Sequence, residues 1–361
     1  MPECLLTPLR FPAGLVVPNR LWLAPMTNLQ SHADGSLSED ELAWLVARAR
    51  GGFGVIESCA THVSLDGQGW AGEWGIFSDA LTPGWRRAAE SIGEQGSHLF
   101  AQLFHAGERA LREEGRRRLS CTAIPGEEVA EATEAEIERI IEDFARGAER
   151  AVEAGLSGVE LHGAHGYLLC QFLRADRNTR GDRWGGSYEN RLRLIRTVMR
   201  TVRSRVPSTF VVGVRLSPEN GTFLSGLDLD ESLRTAAVLC EEGADFIHIS
   251  LWDSKAMTAK RPEQHPARAF REALPAEVPV ITAGEIWTAE DARGQREHGA
   301  DAVALGRAGI TTPDWPRRVA AEGGEPLRPP VTAEQLRERA LGEKFVEYMR
   351  RWPGFVTEEE S

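Results

Sequence analysis

Residues 133–162 read TEAEIERIIEDFARGAERAVEAGLSGVELH, and this stretch combines an amphipathic helix with a buried strand. Thr133 and Glu136 form a capping box that begins the helix, and Gly155 is a typical helix stop. The apolar residues of the helix recur on one face: Ile137, Ile140, Ile141, Phe144 and Val152. The run 158–162 follows at once and is predicted to be a strand. A helix that leads directly into a buried strand is the unit of α/β folds.

The same alternation runs along the chain. Seven further short apolar runs are predicted to be strands: 21–25, 53–60, 98–104, 210–216, 246–251, 278–283 and 301–305. They are nearly continuous in apolar residues, which is typical of parallel strands buried on both faces. Ser187 and Thr288 are expected to cap two of the intervening helices. Eight strand–helix units favour a (β/α)8 TIM barrel, and the alternation alone leaves a doubly wound sheet open.

The domain organisation follows from the strand positions. Residues 1–330 are predicted to form one barrel domain, because no charged linker or Ser/Pro-rich hinge divides them. Residues 331–361 are predicted to form a helical C-terminal extension, helical over 334–350, that covers the barrel or meets a neighbouring subunit. The length of 361 residues suits a single large barrel with long loops.

Composition excludes several classes of protein. The chain is 42% hydrophobic and carries a net charge of −12, so a broad electrostatic interaction with nucleic acid or anionic membranes is not expected. No apolar run reaches the ~18 residues of a membrane span, and the first residues lack the features of a signal peptide. The five cysteines are scattered and odd in number, which argues against a disulfide framework and favours the cytoplasm: Cys4, Cys59, Cys121, Cys170 and Cys240.

Polar side chains follow the predicted strands, and in a parallel barrel these strand ends meet at one face. Few of them are carboxylates, which excludes glycoside hydrolysis and an enolase-like metal site. The pair His162 and His165 leaves a zinc-dependent hydrolase open, with His105 or Glu57 as a third ligand.

The last two strands predict an anion site. Gly284 and Gly306 each follow a strand and precede a helical segment, and Arg307 comes next in the chain. Backbone N–H groups in the seventh and eighth loops, together with an arginine, are typical of phosphate binding in this fold. No Gly-rich Rossmann fingerprint follows the first strand, and no P-loop motif occurs.

Several segments together resemble the Old Yellow Enzyme family of FMN-dependent ene-reductases. The matching stretches are 18–27 (PNRLWLAPMT), 102–107 (QLFHAG), 158–169 (GVELHGAHGYLL) and 185–191 (GGSYENR), with Arg215 and Gly306-Arg307. The resemblance implies a barrel with FMN at its C-terminal mouth, NADPH or NADH as reductant, and no metal. It implies reduction of the C=C bond of α,β-unsaturated carbonyl compounds.

The resemblance also implies which residues bind FMN. Thr27 would donate a hydrogen bond to the flavin C4 carbonyl, Gln102 would bind the polar flavin edge, and Arg215 would face N1 and the C2 carbonyl. Ala60 would allow close approach to the ring. The full expected set is Ala24, Pro25, Met26, Thr27, Ala60, Gln102, Arg215, Gly284, Gly306 and Arg307.

For the substrate, the resemblance implies that His162 and His165 bind the carbonyl oxygen and that Tyr167 gives a proton to the α-carbon, unless solvent supplies it. Trp70 is the nearest candidate for the aromatic residue of the substrate pocket. A slow flavin-binding redox sensor remains an alternative to an enzyme.

The chain also departs from the family pattern. No tyrosine stands two residues after Thr27, and Glu108 precedes Arg109 in the loop after 102–107. In one subgroup a C-terminal arginine enters the partner's active site, so Arg350 or Arg351 is a candidate for that role in a homodimer.

Overall fold

The computed structural model describes residues 5–221, 224–321 and 323–357. Eight parallel strands close into a barrel. They are β3 (Leu21–Leu23), β4 (Val55–His62), β5 (His98–Phe104), β8 (Gly158–Gly163), β9 (Val211–Leu216), β10 (Phe246–Ser250), β11 (Val280–Ala283) and β12 (Ala302–Leu305). Their order around the barrel is β10-β11-β12-β3-β4-β5-β8-β9. The predicted (β/α)8 barrel is therefore confirmed.

Helices cover the outside of the barrel. They are α1 (Glu39–Arg50), α2 (Thr82–Gly93), α3 (Glu134–Glu153), α4 (Leu168–Leu173), α5 (Tyr188–Arg205), α6 (Leu229–Glu241), α7 (Pro266–Ala273), α8 (Ala289–Glu297) and α9 (Arg307–Thr311). The capping box of Thr133 and Glu136 forms as predicted, and Ser187 and Thr288 each cap the helix that follows. Two small two-stranded sheets lie outside the barrel, β1 (Leu9–Arg10) with β2 (Val16–Val17) and β6 (Arg118–Ser120) with β7 (Val129–Glu131).

The described part of the C-terminal segment contains two short helices, α10 (Ala333–Arg337) and α11 (Glu343–Arg350). The helical stretch expected over 334–350 consists of these two helices, because the chain turns between them. Ala340 has φ +61°, and a side chain at Gly342 would place Cβ 2.5 Å from the Asp40 carboxylate of α1. The division into a barrel (1–330) and an extension (331–361) stays a prediction, and residues 358–361 and Cys4 lie outside the described residues.

Arg48 connects the first helix to the last part of the chain. Its fully buried guanidinium donates to the carbonyl oxygens of Gly309 (3.0 Å), Ile310 (2.9 Å) and Arg339 (2.6 Å). These bonds satisfy carbonyl groups of α9 and of the chain after α10, so the C-terminal segment is fixed against α1.

Alternate residues of each barrel strand point inward and form layers. The lowest layer is aromatic, with Phe11, Trp22, Phe100 and Phe246 in contact at ring-centroid distances of 5.1–6.1 Å. Large rings fill the taper of the barrel and close its floor. Polar residues occupy the layers above, toward the C-terminal ends of the strands. Among the described residues no helix is long and apolar enough to cross a membrane.

Candidate active site

Strand pairing brings four predicted site residues side by side at the C-terminal mouth of the barrel. Ala60 on β4 pairs with Gln102 on β5, and His162 on β8 pairs with Arg215 on β9. All four are buried, with side chains between 2% and 7% exposed. They form two pairs near the C-terminal ends of four successive barrel strands.

The turn after β8 brings three aromatic side chains together. The ring centroids of His162 and His165 are 5.0 Å apart, and those of His162 and Tyr167 are 5.1 Å apart. His165 has φ +60° and Gly166 has φ +74°, so the chain reverses direction within the motif. This left-handed turn lets two histidines three positions apart face the same space, whereas a continuous strand would point them to opposite faces.

Hydrogen bonds assign the tautomer of His162. Its Nδ1 accepts from the N–H of Ala164 at 3.3 Å. A neutral imidazole that accepts at Nδ1 carries its proton at Nε2. His162 therefore presents an N–H donor to the site.

A second chain of hydrogen bonds reaches His165. Arg215 Nη2 donates to Ser250 Oγ at 3.1 Å, and Ser250 Oγ lies 2.5 Å from His165 Nε2. Arg215 occupies an acceptor position of the hydroxyl, which favours donation from Ser250 to His165. The proton of His165 is then at Nδ1. Ser250 lies near the end of the predicted strand 246–251, and its connection of Arg215 to His165 becomes visible only in the structure.

Burial keeps both imidazoles neutral. Desolvation and the charge of Arg215 lower the pKa of His162 to about 3 and lower the pKa of His165 well below its usual range. Burial raises the pKa of Tyr167, against the opposing charge of Arg109. The site thus holds neutral N–H donors and a protonated phenol at neutral pH.

Arg109 and Trp70 line the same space. Arg109 Nη1 donates to the carbonyl oxygen of His165 at 3.0 Å, and its guanidinium lies 5.3 Å from the Tyr167 ring centroid. Trp70 packs on Phe104 at 5.5 Å, and Phe104 packs edge-on to Tyr167 at 4.6 Å. The apolar cluster beside the histidines therefore includes both Trp70 and Tyr167.

The C-terminal segment supplies a further residue near the site. The phenol of Tyr348 on α11 interacts with Thr27, and burial raises its pKa. Tyr348 follows the missing-tyrosine position by more than 300 residues, so no local sequence signal connects it with Thr27. The helix that carries it covers one side of the mouth.

The mouth of the barrel fits an FMN molecule in its chemistry. Arg215 is buried, yet its Nε has no hydrogen-bond partner among the described residues, so the guanidinium has a donor left for a ligand. Gln102 donates one amide N–H to Glu160 at 2.6 Å and keeps a donor and an acceptor. Ala24 and Pro25 are buried next to β3, and Met26 and Thr27 are half-buried at the mouth.

The expected phosphate end of the site is partly open. A Cβ at Gly306 would meet only Met26 Sδ, at 3.6 Å, so the backbone there is accessible. Gly284 is constrained differently, because its Cβ would lie 2.4 Å from the Leu251 carbonyl oxygen. Arg307 forms an ion pair with Glu285 at 2.6 Å, and a phosphate would share or displace that carboxylate.

The residues of the zinc alternative do not assemble. Among the described residues, His162, His165 and His105 do not form a group of three within ligand distance of one another. His105 Nε2 instead lies 3.7 Å from the carboxylate of Asp66. A group of suitable geometry does occur lower in the barrel, formed by Glu57, Glu160 and His248.

Comparison with known proteins identifies the family. Residues 5–324 match the model of the NADH:flavin oxidoreductase / NADH oxidase family. The chain is 36% identical over 332 residues to the probable NADH-dependent flavin oxidoreductase YqiG of Bacillus subtilis (strain 168), covering 89% of this chain and 88% of that protein. It is 31% identical to an NADPH dehydrogenase of Bacillus licheniformis, covering 94% of this chain and 96% of the relative.

Comparison with solved structures gives the same family and the same fold. The Old Yellow Enzyme homologue of Zymomonas mobilis superimposes with a TM-score of 0.81 at 27% identity, over 95% of this chain and 99% of the other. The chain spans about a third to a half of the length of several other curated relatives.

The fold and the site together define an NAD(P)H-dependent flavin oxidoreductase that uses FMN. The chain belongs to the NADH:flavin oxidoreductase / NADH oxidase family, and within it to the Old Yellow Enzyme family. The predictions of family, of FMN and of a nicotinamide reductant are confirmed.

Proposed function

We propose that this enzyme is an ene-reductase that reduces the C=C bond of α,β-unsaturated carbonyl compounds. The observation that carries the proposal is the convergence of His162, His165 and Tyr167 at one mouth of the barrel, next to Arg215. When bound there, FMN that has been reduced by NAD(P)H supplies the hydride.

The two histidines bind and polarise the carbonyl oxygen. The Nε2–H of His162 and the Nδ1–H of His165 are the donors that the surrounding hydrogen bonds leave available. Two N–H donors on one oxygen stabilise the negative charge that develops there as the β-carbon is attacked. Because both rings are neutral and buried, they bind a neutral carbonyl without a competing ionisation.

Tyr167 holds the proton for the α-carbon. Its phenol remains protonated because burial raises the pKa, and Arg109 lies close enough to stabilise the phenolate after transfer. Phe104 and Trp70 form the apolar wall on which the substrate packs.

The proposed cofactor contacts come from the same layer. Gln102 and Arg215 would hold the polar edge of the flavin, with Ala60 against the ring and Thr27 at the C4 carbonyl. Ala24, Pro25 and Met26 would lie beside the ring. Gly284, Gly306 and Arg307 would bind the phosphate.

The visible spectrum with and without substrate tests the reaction. The purified holoenzyme should be yellow, lose its colour with NADPH in the absence of air, and regain it on addition of cyclohexenone. A reduced enzyme that reoxidises with oxygen but with none of a panel of enones would contradict ene-reduction and favour the redox-sensor alternative.

Two sets of variants assign the residues. The double variant His162→Ala, His165→Ala should keep FMN and lose phenol charge-transfer binding, whereas loss of FMN would mean that the histidines hold the cofactor. Tyr167→Phe should slow reoxidation by enone by about a hundredfold, the usual size of a general-acid effect. Tyr188→Phe is the matched control, since this tyrosine bonds Thr235 outside the site. An unchanged rate in Tyr167→Phe would assign the proton to solvent.

A further inference from the structure

A buried polar layer lies between the aromatic floor of the barrel and the proposed flavin site. Glu57 on β4, Glu160 on β8 and His248 on β10 point into the barrel, and their side chains have no exposed surface beyond 1%. Barrel interiors are normally filled by branched apolar residues at this level. Three ionisable side chains at this level depart from that pattern.

Glu160 is the centre of this layer. Its Oε1 accepts from Gln102 Nε2 at 2.6 Å, and its Oε2 accepts from His248 Nδ1 at 2.7 Å. A carboxylate only accepts hydrogen bonds, so this contact fixes which end of the Gln102 amide is nitrogen. The remaining donor and acceptor of Gln102 are thereby set toward the mouth of the barrel.

The charges in the layer balance when one carboxyl group carries a proton. Burial and the charge of Glu160 raise the pKa of Glu57 well above its usual range. Burial opposes ionisation of Glu160 too, but His248 and Arg215 lower its pKa overall. Burial and Arg215 hold the pKa of His248 below its usual range, so this imidazole is neutral. One negative charge, on Glu160, then faces the one positive charge of Arg215.

We propose that Glu160 is a positioning residue that sets the reduction potential of bound FMN, with Glu57 as a neutral acid beside it and His248 as its hydrogen-bond donor. Glu160 acts by orienting Gln102 and by offsetting the charge of Arg215. This inference rests on the proposed placement of Gln102 and Arg215 at the flavin edge.

The direction of the effect follows from electrostatics. Reduction adds negative charge to the flavin, which Arg215 stabilises and Glu160 opposes inside a medium of low dielectric. Removal of the Glu160 charge therefore favours the reduced flavin. Substitution of a group that is already neutral, such as Glu57, leaves the equilibrium between oxidised and reduced flavin unchanged.

The same three side chains do not favour a cation. His248 Nδ1 donates to Glu160, and the positive charge of Arg215 acts on both carboxyl groups. A divalent ion would have to displace a short hydrogen bond next to a fixed guanidinium. Metal analysis of the purified holoenzyme is expected to find less than one ion per chain, and a stoichiometric ion lost in Glu160→Gln would overturn the proposal.

The experiment is spectroelectrochemical titration of the holoenzyme at neutral pH. Glu160→Gln should shift the equilibrium toward reduced FMN by tenfold or more, which is about 30 mV for a two-electron couple. Glu57→Gln should shift it less than threefold. Glu41→Gln is the matched control, because Glu41 is a fully buried carboxyl outside the layer, bonded to Asn28. An unchanged potential in Glu160→Gln, or a shift in Glu57→Gln alone, would refute the proposal.

A second measurement avoids dependence on the folding of Glu160→Gln. The infrared spectrum of the wild type should contain the C=O stretching band of a protonated carboxyl group that disappears in Glu57→Gln. If that band is absent, both carboxylates are charged and the proposal is wrong. Both readouts are independent of enone turnover, so they remain valid if the enzyme reduces a different class of substrate.

Discussion

The site predicts how the rate of enone reduction depends on pH, because its histidines are expected to stay neutral in weak acid. Reduced enzyme is mixed with cyclohexenone in a stopped-flow instrument between about pH 5 and pH 9, and the return of flavin absorbance gives the rate. Because burial and Arg215 lower the pKa of His162 to about 3, only about 1% of this imidazole is protonated at pH 5. A histidine with the ordinary value of ~6.5 would be only about 3% neutral at that pH.

The sign of the effect is fixed by the direction of the shift. His162 titrates below its usual range, so the neutral form that donates through Nε2–H persists as the pH falls through 6.5. Tyr167 titrates above its usual range and stays protonated through pH 9. The rate with enone should therefore vary less than twofold over the whole interval, apart from any proton dependence of the flavin itself.

A matched variant separates His162 from other groups. His162→Asn keeps an N–H donor but removes the titration, so its rate should be lower than that of the wild type and equally flat. A wild-type rate that falls tenfold or more by pH 5, with a midpoint near 6.5 that disappears in His162→Asn, would refute the reasoning. It would mean that His162 is solvated and titrates normally.

Three further substitutions test the stability of the fold and the proposed phosphate site. Arg48→Met should lower the free energy of unfolding by about 3–5 kcal/mol, because three buried carbonyls lose their donor, and thermal melting of the holoenzyme measures this. Glu285→Gln should tighten FMN binding about twofold to fivefold by freeing Arg307, because an exposed ion pair is worth at most about 1 kcal/mol. Quenching of flavin fluorescence at low ionic strength gives the dissociation constant. Weaker binding would contradict the assignment of Arg307 to the phosphate. Gly284→Ala should cost about 1–3 kcal/mol because its φ is +149° and its Cβ would approach the Leu251 carbonyl; an unchanged melting temperature would argue against that strain.

Much of the fold could be predicted because barrel strands leave a clear pattern. Runs such as 98–104 and 210–216 are apolar enough to be recognised without a structure, and capping residues such as Thr133 mark where helices begin. The break between α10 and α11 could not be predicted, since it depends on the approach of Gly342 to Asp40 on a distant helix.

Some residues of the site could likewise be predicted from the sequence, and others could not. His162, His165 and Tyr167 stand in one short motif, so their proximity follows from local sequence. Glu160 and His248 are single polar residues within predicted apolar strands, so residue type alone does not mark them as part of the site. The alternation of inward positions could have revealed them, because each stands two residues before a predicted or observed site residue, His162 and Ser250 respectively. Their pairing across the barrel, however, required the closed sheet.

The contact between Arg48 and the carbonyls near residues 309 and 339 also bears on how the protein is made. On the ribosome, α1 emerges early, while its acceptors are among the later parts of the chain. The pairing of β12 with β3 likewise joins the last barrel strand to the first. In a nascent chain, Arg48 therefore lacks its acceptors and β3 lacks its partner β12 until the segments that carry them have been synthesised. Closure of the barrel and fixation of α1 are therefore expected only after residues 302–339 have left the ribosome.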